Sequence, residues 1–567
     1  MKQKVISAFV TLVFAVLCIV AVYKLATKEP AIDDNNKTPA PSIPKGSLTL
    51  QFYSSSAKKT WIDEVTGEFN QQRNRVDGQS IQVKVTHVTS GGSLRDIIEG
   101  KIQPDLWSPG EGSWVKLANN HWQNVYSRPF IRDTKDVVNV PLIIAMWEPM
   151  ANALGYPNKP LGWTDIAEVA ANPKGWADYG HPEWGKFRWG HAHAEANSGF
   201  LTVLSEVYSC LGKTENMTVD DLKDPSVKGF LKTAESAVEH YGMSNSWLDK
   251  QMRTRGLGYL SAVTQYENAI IESNRNYGSD PYKLVAIYPK EGAFWTRHPV
   301  GIPDAAWLTP EKREAAELYI GYLLQQEVQR RAMEIGLRPI NQKISLGKPF
   351  TPEYGVQARI DTSRIFHTPD EQVLRRVREL WEEAKMPASV VVLLDVSGSM
   401  QGSPLQYARK GAAIFIEKMN KWDELEVITF NHQLAKLAAM DKIGTSGEKA
   451  RQKIQNLFAD GGTCLFDATQ HALDTIRKRR KIAPKRRYGI VLLSDGDDTN
   501  SKIGKYDFLD SLSKGDNPDV IRIYTIAYGE EANKDLLIEI AKSTNARMFT
   551  SSPEDIEKVY RELSANF

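Results

Sequence analysis

One apolar strand that runs into a cluster of hydroxyl and carboxyl side chains constrains the fold of this chain more than any other feature. Residues 389–394 read Ser-Val-Val-Val-Leu-Leu, without the alternation expected of a half-exposed strand. Such a run is typical of a central parallel strand that is covered by helices on both faces. Asp395-Val-Ser397-Gly-Ser399 follows directly, and then a helix predicted at 405–419. We therefore expect a doubly wound α/β unit with these polar side chains at one edge of its sheet.

Two later loops carry further oxygen-bearing side chains toward the same edge. Gly461-Gly462-Thr463 comes before a predicted helix, and Ser494-Asp495-Gly496 closes a predicted apolar strand. Parallel strands place their carboxyl ends on one edge of a sheet, so loops that are distant in sequence can converge there. We therefore expect Thr463 and Asp495 to lie close to the Asp395 loop.

The side chains at this edge have the chemistry of a site for a hard divalent cation. Asp395, Ser397 and Ser399 alternate in an extended loop, so a carboxylate and two hydroxyls can face one point. Oxygen donors of this kind suit Mg²⁺, with Mn²⁺ or Ca²⁺ as alternatives. Neutral hydroxyl ligands leave much of the charge of the ion unbalanced, which favours an acidic group from outside as a further ligand.

The whole C-terminal segment, residues 386–567, resembles a von Willebrand factor A domain. Further strands are predicted at 426–430, 488–493, 520–527 and 547–550, with helices at 465–477 and 555–563. The resemblance implies a metal-ion-dependent adhesion site, or MIDAS, in which Ser397, Ser399 and Thr463 touch the metal directly. It also implies that Asp395 and Asp495 hold coordinating waters, and that a partner protein supplies an acidic side chain to the ion.

A second α/β pattern begins at residue 47. Strands are predicted at 48–53, 81–85 and 104–107. Serines occupy the loops that follow the first two, at 54–56 and 90–93, and Ser198 precedes a predicted helix at 200–208. Helix N-termini favour anions and strong hydrogen-bond acceptors, so these serines are consistent with a ligand crevice. Ordinary helix caps, which serine provides in any soluble protein, are the alternative.

This segment resembles the extracellular solute-binding proteins of ABC-type importers over about residues 47–380. The resemblance rests on Pro141-Leu-Ile-Ile-Ala-Met-Trp147, Gly162-Trp163-Thr-Asp-Ile166, Thr264-Gln-Tyr-Glu267, Ala286-Ile-Tyr-Pro-Lys-Glu-Gly292, Ala306-Trp307 and Gly336-Leu-Arg-Pro339. It implies a two-lobed, periplasmic-binding-protein-like domain at 47–385 with a cleft between the lobes. The cleft would take a small solute or a short extended ligand and be lined by Ser54, Ser55, Ser90, Ser93, Ser198, Tyr266 and Glu267.

The N-terminus predicts a membrane connection. Residues 5–23 form an apolar run flanked by lysines, and 19 residues at about 1.5 Å each reach nearly the thickness of a bilayer core. We expect a single transmembrane anchor within residues 1–28, with a cleaved signal sequence as the alternative. The proline-rich polar segment 29–46 then predicts an extended linker. Together with the resemblance to extracellular proteins, this places the body on the extracytoplasmic side.

Two smaller patterns allow other interpretations. His191, His193 and Glu195 alternate in sequence and could together hold zinc, although hydrogen-bonding histidines are common in loops. A basic run at 477–487 could attract anionic lipid or an acidic protein, and a solvated helix C-terminus is the simpler alternative. The net charge of the whole chain is only +2, which gives no reason to expect nucleic acid as a partner.

The leading functional prediction is therefore a membrane-tethered binding or adhesion protein that is not an enzyme. A metal-dependent phosphatase is one alternative, because Asp395 and the acidic loop 495–498 superficially match the haloacid-dehalogenase pattern. That chemistry needs a second carboxylate two residues after the nucleophile, where Ser397 stands instead. A second alternative is a sensor in which solute binding changes the affinity for the protein partner.

Overall fold

Three β-sheets organise the chain in the computed structural model. It describes residues 46–567 except 195, 243–244, 277, 279–280, 496, 513–519, 529–531, 552–555, 557–558, 561–562 and 564–567. The predicted membrane segment, 1–28, and the predicted linker up to residue 45 lie outside the described residues. Within the described part, no helix is both long enough and apolar enough to cross a membrane.

The first sheet forms one lobe of the N-terminal body, lobe 1. Its strands lie in the order β2-β3-β1-β4-β12-β5, and β1 pairs in parallel with β3 and β4. The elements up to residue 136 are β1 (Leu48–Ser55), α1 (Lys59–Gln71), β2 (Arg75–Val76), β3 (Gln79–Val88), α2 (Ser90–Ile98), β4 (Leu106–Ser108), α3 (Gly112–Tyr126) and β5 (Ile131–Asp136). The predicted alternation of strand and helix is confirmed here. The predicted serine loops are not, because β1 extends through Ser54 and Ser55, and α2 already begins at Ser90 and includes Ser93.

The second sheet forms lobe 2, with the strand order β10-β6-β9-β7-β8 and with β11 and β13 also paired to β6. Its elements are β6 (Val138–Trp147), α4 (Glu148–Ala153), α5 (Trp163–Ala171), β7 (Trp189–Ala192), α6 (Asn197–Leu211), α7 (Pro225–Ser236), β8 (Val238–Gly242), α8 (Asn245–Arg255), β9 (Ala262–Tyr266), α9 (Glu267–Asn276), β10 (Leu284–Ile287) and β11 (Trp295–Thr296). Strand β6 is central and buried along most of its length, as its apolar sequence requires.

Two of the places where the chain crosses between the lobes are adjacent. It passes from lobe 1 to lobe 2 at Val137 and returns at Arg297-His298, between β11 and β12 (Pro299–Pro303). The two crossings are joined by a hydrogen bond from Val137 N–H to the His298 carbonyl oxygen, at 3.3 Å. We call these two paired crossings the hinge segment.

The rest of the N-terminal body packs on both lobes and leads to the C-terminal sheet. It comprises α10 (Pro310–Leu323), α11 (Gln326–Ile335), β13 (Arg338–Pro339) and α12 (Glu371–Ala384). Helix α12 buries Val373, Val377, Leu380 and Trp381 in the same hydrophobic core as the two lobes. The C-terminal unit therefore starts directly after a helix that belongs to the N-terminal body.

The third sheet has the order β16-β15-β14-β17-β18-β19, in which only β16 is antiparallel. Its elements are β14 (Ala388–Asp395), α13 (Ser403–Lys418), β15 (Glu424–Phe430), β16 (Leu434–Lys442), α14 (Ile443–Gln455), α15 (Leu465–Ile482), β17 (Arg487–Ser494), α16 (Lys505–Ser511), β18 (Arg522–Tyr528), α17 (Lys534–Ser543) and β19 (Met548–Ser551). Every residue of β14 is buried, because a separate hydrophobic core covers each face of the sheet.

The predicted doubly wound fold of the C-terminal unit is thus confirmed. Only part of the predicted closing helix at 555–563 is described. Ile556, Val559, Tyr560 and Leu563 are buried in the core, with the spacing of one helical face.

Candidate functional sites

Five oxygen-bearing side chains lie at the carboxyl edge of the third sheet: Asp395, Ser397, Ser399, Thr463 and Asp495. We call them the oxygen cluster. The Ser397 and Ser399 hydroxyl oxygens are 3.0 Å apart, and the Ser399 hydroxyl donates to Asp495 Oδ1 at 2.9 Å. Loops after two neighbouring parallel strands, β14 and β17, therefore meet at one point as predicted.

The loop Gly461-Gly462-Thr463 is held in place by hydrogen bonds to its backbone. Gly398 N–H donates to the Gly461 carbonyl oxygen at 2.9 Å, which joins the first loop to the second. Thr463 N–H donates to the Thr499 hydroxyl at 2.8 Å, and Thr499 N–H donates back to the Thr463 carbonyl at 2.8 Å. Thr463 is therefore fixed beside the Ser397 loop and is almost fully buried.

Asp395 is a fully buried carboxylate held only by neutral groups. It accepts hydrogen bonds from Ser397 N–H at 2.9 Å and from the Ser494 hydroxyl at 2.7 Å. No lysine, arginine or histidine forms an ion pair with it in the described part of the chain. Burial raises the pKa of Asp395 to about 6, and the nearby Asp495 charge adds to that effect.

A divalent cation suits this arrangement. Two carboxylates and three hydroxyls are hard oxygen donors of the type that Mg²⁺, Mn²⁺ and Ca²⁺ prefer. A bound cation would also supply the positive charge that buried Asp395 lacks. Ser397, Ser399 and Thr463 could hold the ion directly, while Asp395 and Asp495 could act through water.

Neighbouring acidic side chains support the loops around the cluster. Asp467 accepts hydrogen bonds from the N–H groups of Lys502 and Ile503, at 2.9 and 3.1 Å. Asp498 binds the Ser501 hydroxyl and accepts from Phe466 N–H at 3.3 Å. The described carboxylates next to the cluster are thus engaged in fixing the loops that carry it.

The second candidate site is a cavity of about 190 Å³ that opens between the two lobes. Its walls come from the loop after β1, the start of α2, the start of α6 and the start of α9. The lining residues are Ser55, Ser56, Ala57, Lys58, Lys59, Thr60, Trp61, Val88, Thr89, Ser90, Ala196, Asn197, Ser198, Tyr266, Asn268, Ala269, Glu272, Ile335 and Leu337.

Four of the seven residues predicted for this cleft line the cavity: Ser55, Ser90, Ser198 and Tyr266. The other three, Ser54, Ser93 and Glu267, are buried outside its lining. The Ser93 hydroxyl donates to the Ser90 carbonyl oxygen and accepts from Trp107 Nε1, both at 3.0 Å. Ser93 therefore joins helix α2 to strand β4 in this structure.

Glu267 forms a buried ion pair with Arg338. Arg338 Nε and Nη2 donate to the two Glu267 carboxylate oxygens, each at 2.7 Å, and the Tyr288 hydroxyl donates to Glu267 as well. A bidentate pair with a third donor satisfies most of the lone pairs of a buried carboxylate. In this structure Glu267 thus ties α9 to β13.

Sequence reasoning missed several polar residues of the cleft, among them Lys58, Asn197 and Asn268. Asn197 joins the lobes, since its Oδ1 accepts from Trp114 Nε1 at 2.5 Å and its Nδ2 donates to the Tyr266 hydroxyl at 2.7 Å. Lys58 is a buried cation at the start of α1. A basic residue just after a serine loop and just before a helix was the available signal.

The described residues of the possible zinc site do not come together as ligands. His191 Nδ1 lies 2.8 Å from the Ala192 carbonyl oxygen, and its Nε2 lies 3.3 Å from buried Glu235. His193 packs against the rings of Tyr241 and Trp381. Glu195 lies outside the described residues. Among those described, no group of three or more histidine, cysteine and acidic side chains could hold a metal ion.

Much of the basic run at 477–487 is used within the protein. Arg477 pairs with Asp474, Arg479 pairs with Glu424, and the Arg480 guanidinium lies over the Tyr488 ring. Arg486 donates to the Ser389 hydroxyl at 2.7 Å, and Arg487 donates to the Val238 carbonyl oxygen at 2.7 Å. These contacts favour a structural role for the arginines over a role in binding anionic lipid or an acidic protein.

Comparison with known proteins matches two families to these two bodies. The family described as bacterial extracellular solute-binding protein matches residues 50–338, just over half of the chain. The von Willebrand factor type A domain matches residues 389–562.

Among curated relatives, an uncharacterised protein of a Synechocystis species is 26% identical over 182 residues, which cover 32% of this chain and 42% of that protein. The inter-alpha-trypsin inhibitor heavy chain H4 of Sus scrofa is 27% identical over 124 residues, which cover 21% of this chain and 13% of that protein. The chain therefore spans less than half the length of these relatives.

Solved structures resemble each body separately. The sulfate-binding protein SubI from Mycobacterium tuberculosis has a TM-score of 0.38 and 13% identity, covering 56% of this chain and 94% of that one. The von Willebrand factor type A protein from Catenulispora acidiphila has a TM-score of 0.28 and 20% identity, covering 32% of this chain and 42% of that one.

Proposed function

Since this chain belongs to the bacterial extracellular solute-binding proteins and carries a von Willebrand factor type A domain behind that body, we propose that it is a binding protein with two sites. The cleft between the lobes captures a small solute. The oxygen cluster binds a divalent cation, through which the protein engages an acidic side chain of a protein partner. The observation that carries the second role is the meeting of the Ser397 and Ser399 hydroxyls with the carboxylates of Asp395 and Asp495, beside the loop that holds Thr463.

The charge of the cluster explains why a partner would add a carboxylate. The hydroxyls of Ser397, Ser399 and Thr463 are neutral, so direct contacts from them leave the charge of a divalent ion unbalanced. Asp395 and Asp495 provide the negative charge. Burial is the main cause that raises the pKa of Asp395, and repulsion by the Asp495 charge adds to it. When bound, the cation lowers this repulsion and leaves a position for an outside oxygen ligand.

We propose an extracytoplasmic location with a membrane tether. The apolar run at 5–23 is long enough for an anchor, and the proline-rich segment 29–46 would hold the body away from the bilayer. Fractionation of cells that express the full-length chain tests this directly. Recovery in the membrane fraction, with the body open to added protease in spheroplasts, is the expected result. Recovery with the soluble cytoplasm would reject it.

Affinity capture tests the metal-bridged partner. The full-length chain is immobilised and exposed to cell-surface proteins from the source organism. The buffer contains either about 5 mM Mg²⁺ or EDTA. A partner should be retained only with Mg²⁺ and should be lost from the Asp395→Asn and Ser399→Ala variants. Asp441→Ala provides a matched control, because Asp441 is exposed on the outer strand β16. Equal retention by all variants in EDTA would reject the proposed mechanism.

The phosphatase alternative gains no support from the geometry. Both Asp395 carboxylate oxygens accept hydrogen bonds, from Ser397 and Ser494, and the side chain is fully buried. A nucleophile needs an exposed oxygen and a neighbouring acid or base. Phosphatase turnover of p-nitrophenyl phosphate that disappears in Asp395→Asn would restore this alternative.

A specific contact favours the sensor as a second candidate function. The Arg487 guanidinium lies 4.2 Å from the centre of the Tyr241 ring, and Tyr241 donates to Glu235 inside lobe 2. Arg487 begins strand β17, and Ser494 at the other end of that strand donates to Asp395. Lobe 2 thus touches a strand that ends at the oxygen cluster. If the sites are coupled, solute should change the affinity for the partner.

A further inference from the structure

A further cavity, of about 500 Å³, lies outside both sites described above. One of its walls belongs to lobe 1 and comes from helices α2 and α3. The opposite wall comes from the start of α6 in lobe 2, from α12 and, at Lys418, from the last turn of α13 in the C-terminal unit. It shares no lining residue with the cleft. We call it the junction cavity, because the two lobes and the C-terminal unit meet there.

Apolar side chains from both walls line the junction cavity. They are Leu94, Ile98, Trp114 and Leu117 on the lobe 1 side, and Phe200 and Leu374 on the opposite side. Trp114 belongs to one hydrophobic core, whereas Phe200 and Leu374 belong to another, so the cavity lies between two cores. Ile98 is 38% exposed. Covering apolar surface of this kind with an apolar group is favourable, because it removes that surface from water.

The charged side chains of the junction cavity give it an excess of positive charge. The four cations are Arg95, Arg375, Arg378 and Lys418, and the two carboxylates are Glu99 and Glu371. Both carboxylates are already engaged. Glu99 pairs with Lys101 at 2.6 Å, outside the lining. Glu371 pairs with Arg375 at 3.1 Å and accepts from Asn120 Nδ2 at 2.9 Å. An anion that enters the cavity therefore meets more positive than negative charge.

From these two features we propose that the junction cavity binds a small amphiphilic acid, a molecule with an apolar body and a carboxylate head. The body contacts the apolar side chains of both walls, and the head pairs with the cations. A volume of about 500 Å³ lies within the range of roughly 300–1,000 Å³ that is typical of small-molecule sites. Apolar walls with a few charged groups are also typical of such sites. This proposal is independent of the solute in the cleft and of the metal at the oxygen cluster.

A ligand in the junction cavity would join parts of the chain that are otherwise linked by few contacts. The wall opposite lobe 1 is held together, since the Arg378 guanidinium of α12 lies 4.9 Å from the Phe200 ring centre in lobe 2. Asn420 of the C-terminal unit donates to the Glu382 carbonyl oxygen of α12 at 2.9 Å. Movement of the lobes about the hinge segment would shift the α2–α3 wall relative to this wall. A ligand that contacts both walls should therefore stabilise the present arrangement of the lobes.

Calorimetric titration of the full-length chain with a matched series of probes tests the proposal. The main probe is 4-phenylbutyrate, which has an apolar body and a carboxylate head. The probes 4-phenylbutanol and 4-phenylbutylamine keep the body but carry a neutral and a cationic head. Acetate keeps the head without the body. Decanoate replaces the aromatic body with a linear one, so it shows which shape of body the cavity accepts.

Two variants of the cavity are compared with two matched controls. Lys418→Glu reverses one of the lining cations, and Ile98→Asp places a negative charge among the apolar side chains. The control for the first is Lys449→Glu, at an exposed position on α14 in the same C-terminal unit. The control for the second is Val125→Asp, because Val125 is 55% exposed on α3. Neither control residue lines the cavity. All four positions are exposed, so each variant should fold, and circular dichroism checks this.

At least one of the two acids should bind wild type and both controls with equal affinity. Each cavity variant should weaken that binding about tenfold or more, as should replacing the carboxylate with a hydroxyl or an amine. Acetate should bind more weakly still. Unchanged binding by either cavity variant would overturn the proposal, because the acid would then lie elsewhere, for example in the cleft. Equal binding of the acid, the alcohol and the amine would also overturn it, as would the failure of both acids to bind.

Discussion

Removing the buried charge of Lys58 should stabilise the protein when no solute is bound. In the unfolded chain, lysine keeps its proton up to a pKa of 10.5, whereas burial lowers that pKa to about 7 in the folded protein. The unfolded state therefore binds more protons between these values, and the stability of wild type rises with pH across that window. Lys58→Met has no such group, so its advantage over wild type must shrink as the pH increases.

The size of the effect follows from the two pKa values. At about 1.36 kcal/mol per pKa unit, the lysine costs roughly 4 kcal/mol of folding free energy at pH 7 and about 1 kcal/mol at pH 10. The lost hydrogen bond to the Ser108 carbonyl offsets about 1 kcal/mol at both values. The difference between variant and wild type should thus fall by roughly 3 kcal/mol from pH 7 to pH 10.

Urea denaturation followed by tryptophan fluorescence measures this difference. Twelve of the 14 tryptophans lie between residues 47 and 380, so the signal reports mainly on the body that contains Lys58. Both proteins are measured in a buffer without oxyanions at pH 7 and pH 10. The buried Lys58 charge would not be the cost described here if the variant were less stable than wild type at pH 7, or if the difference in stability did not change with pH.

Three further outcomes follow from described contacts. Glu267→Gln should lower the free energy of unfolding by about 3 kcal/mol, because it leaves buried Arg338 without its charge partner. Glu272→Gln, at an exposed position, should leave the free energy of unfolding unchanged, and urea denaturation measures both variants. Arg487→Ala should remove any effect of solute on partner affinity while both sites still bind separately, and surface plasmon resonance with and without a solute that the cleft binds measures this. Asp395→Asn should abolish the increase in melting temperature caused by Mg²⁺, and calorimetry would contradict the metal site if the increase persisted.

The features that the sequence predicted correctly are those that backbone topology determines. A fully apolar strand such as β14 needs cover on both faces, so the doubly wound arrangement followed from the composition of one segment. The meeting of Ser399 with Asp495 followed from the rule that parallel strands end at one edge. These inferences did not require knowledge of any side-chain rotamer.

The cleft was harder to predict because side-chain direction decides which residues face it. Strand β1 extends to Ser55, two residues past its predicted end, and successive side chains of a strand point to opposite faces. Ser55 therefore lines the cavity while Ser54 is buried beside it. Glu267 was misjudged for a different reason, since its partner Arg338 lies 71 residues away and no local pattern reveals the pair.

The burial of Lys58 could not be predicted from the sequence. A lysine before a helix is ordinarily an exposed residue, and only its burial under the crossing at His298 makes the charge significant. That burial depends on how two lobes and a hinge pack together. The sequence carries no direct signal of this packing.

Manganese titration of the full-length chain, followed by electron paramagnetic resonance, tests whether the oxygen cluster binds a divalent cation. Free Mn²⁺ gives a strong signal that is lost on binding, so the measurement counts sites without needing a partner. The oxygen cluster predicts one site for each chain, which Mg²⁺ displaces and which Ser399→Ala and Asp395→Asn both remove, while Asp441→Ala retains it. Failure to bind Mn²⁺, or equal binding by all the variants, would contradict the account.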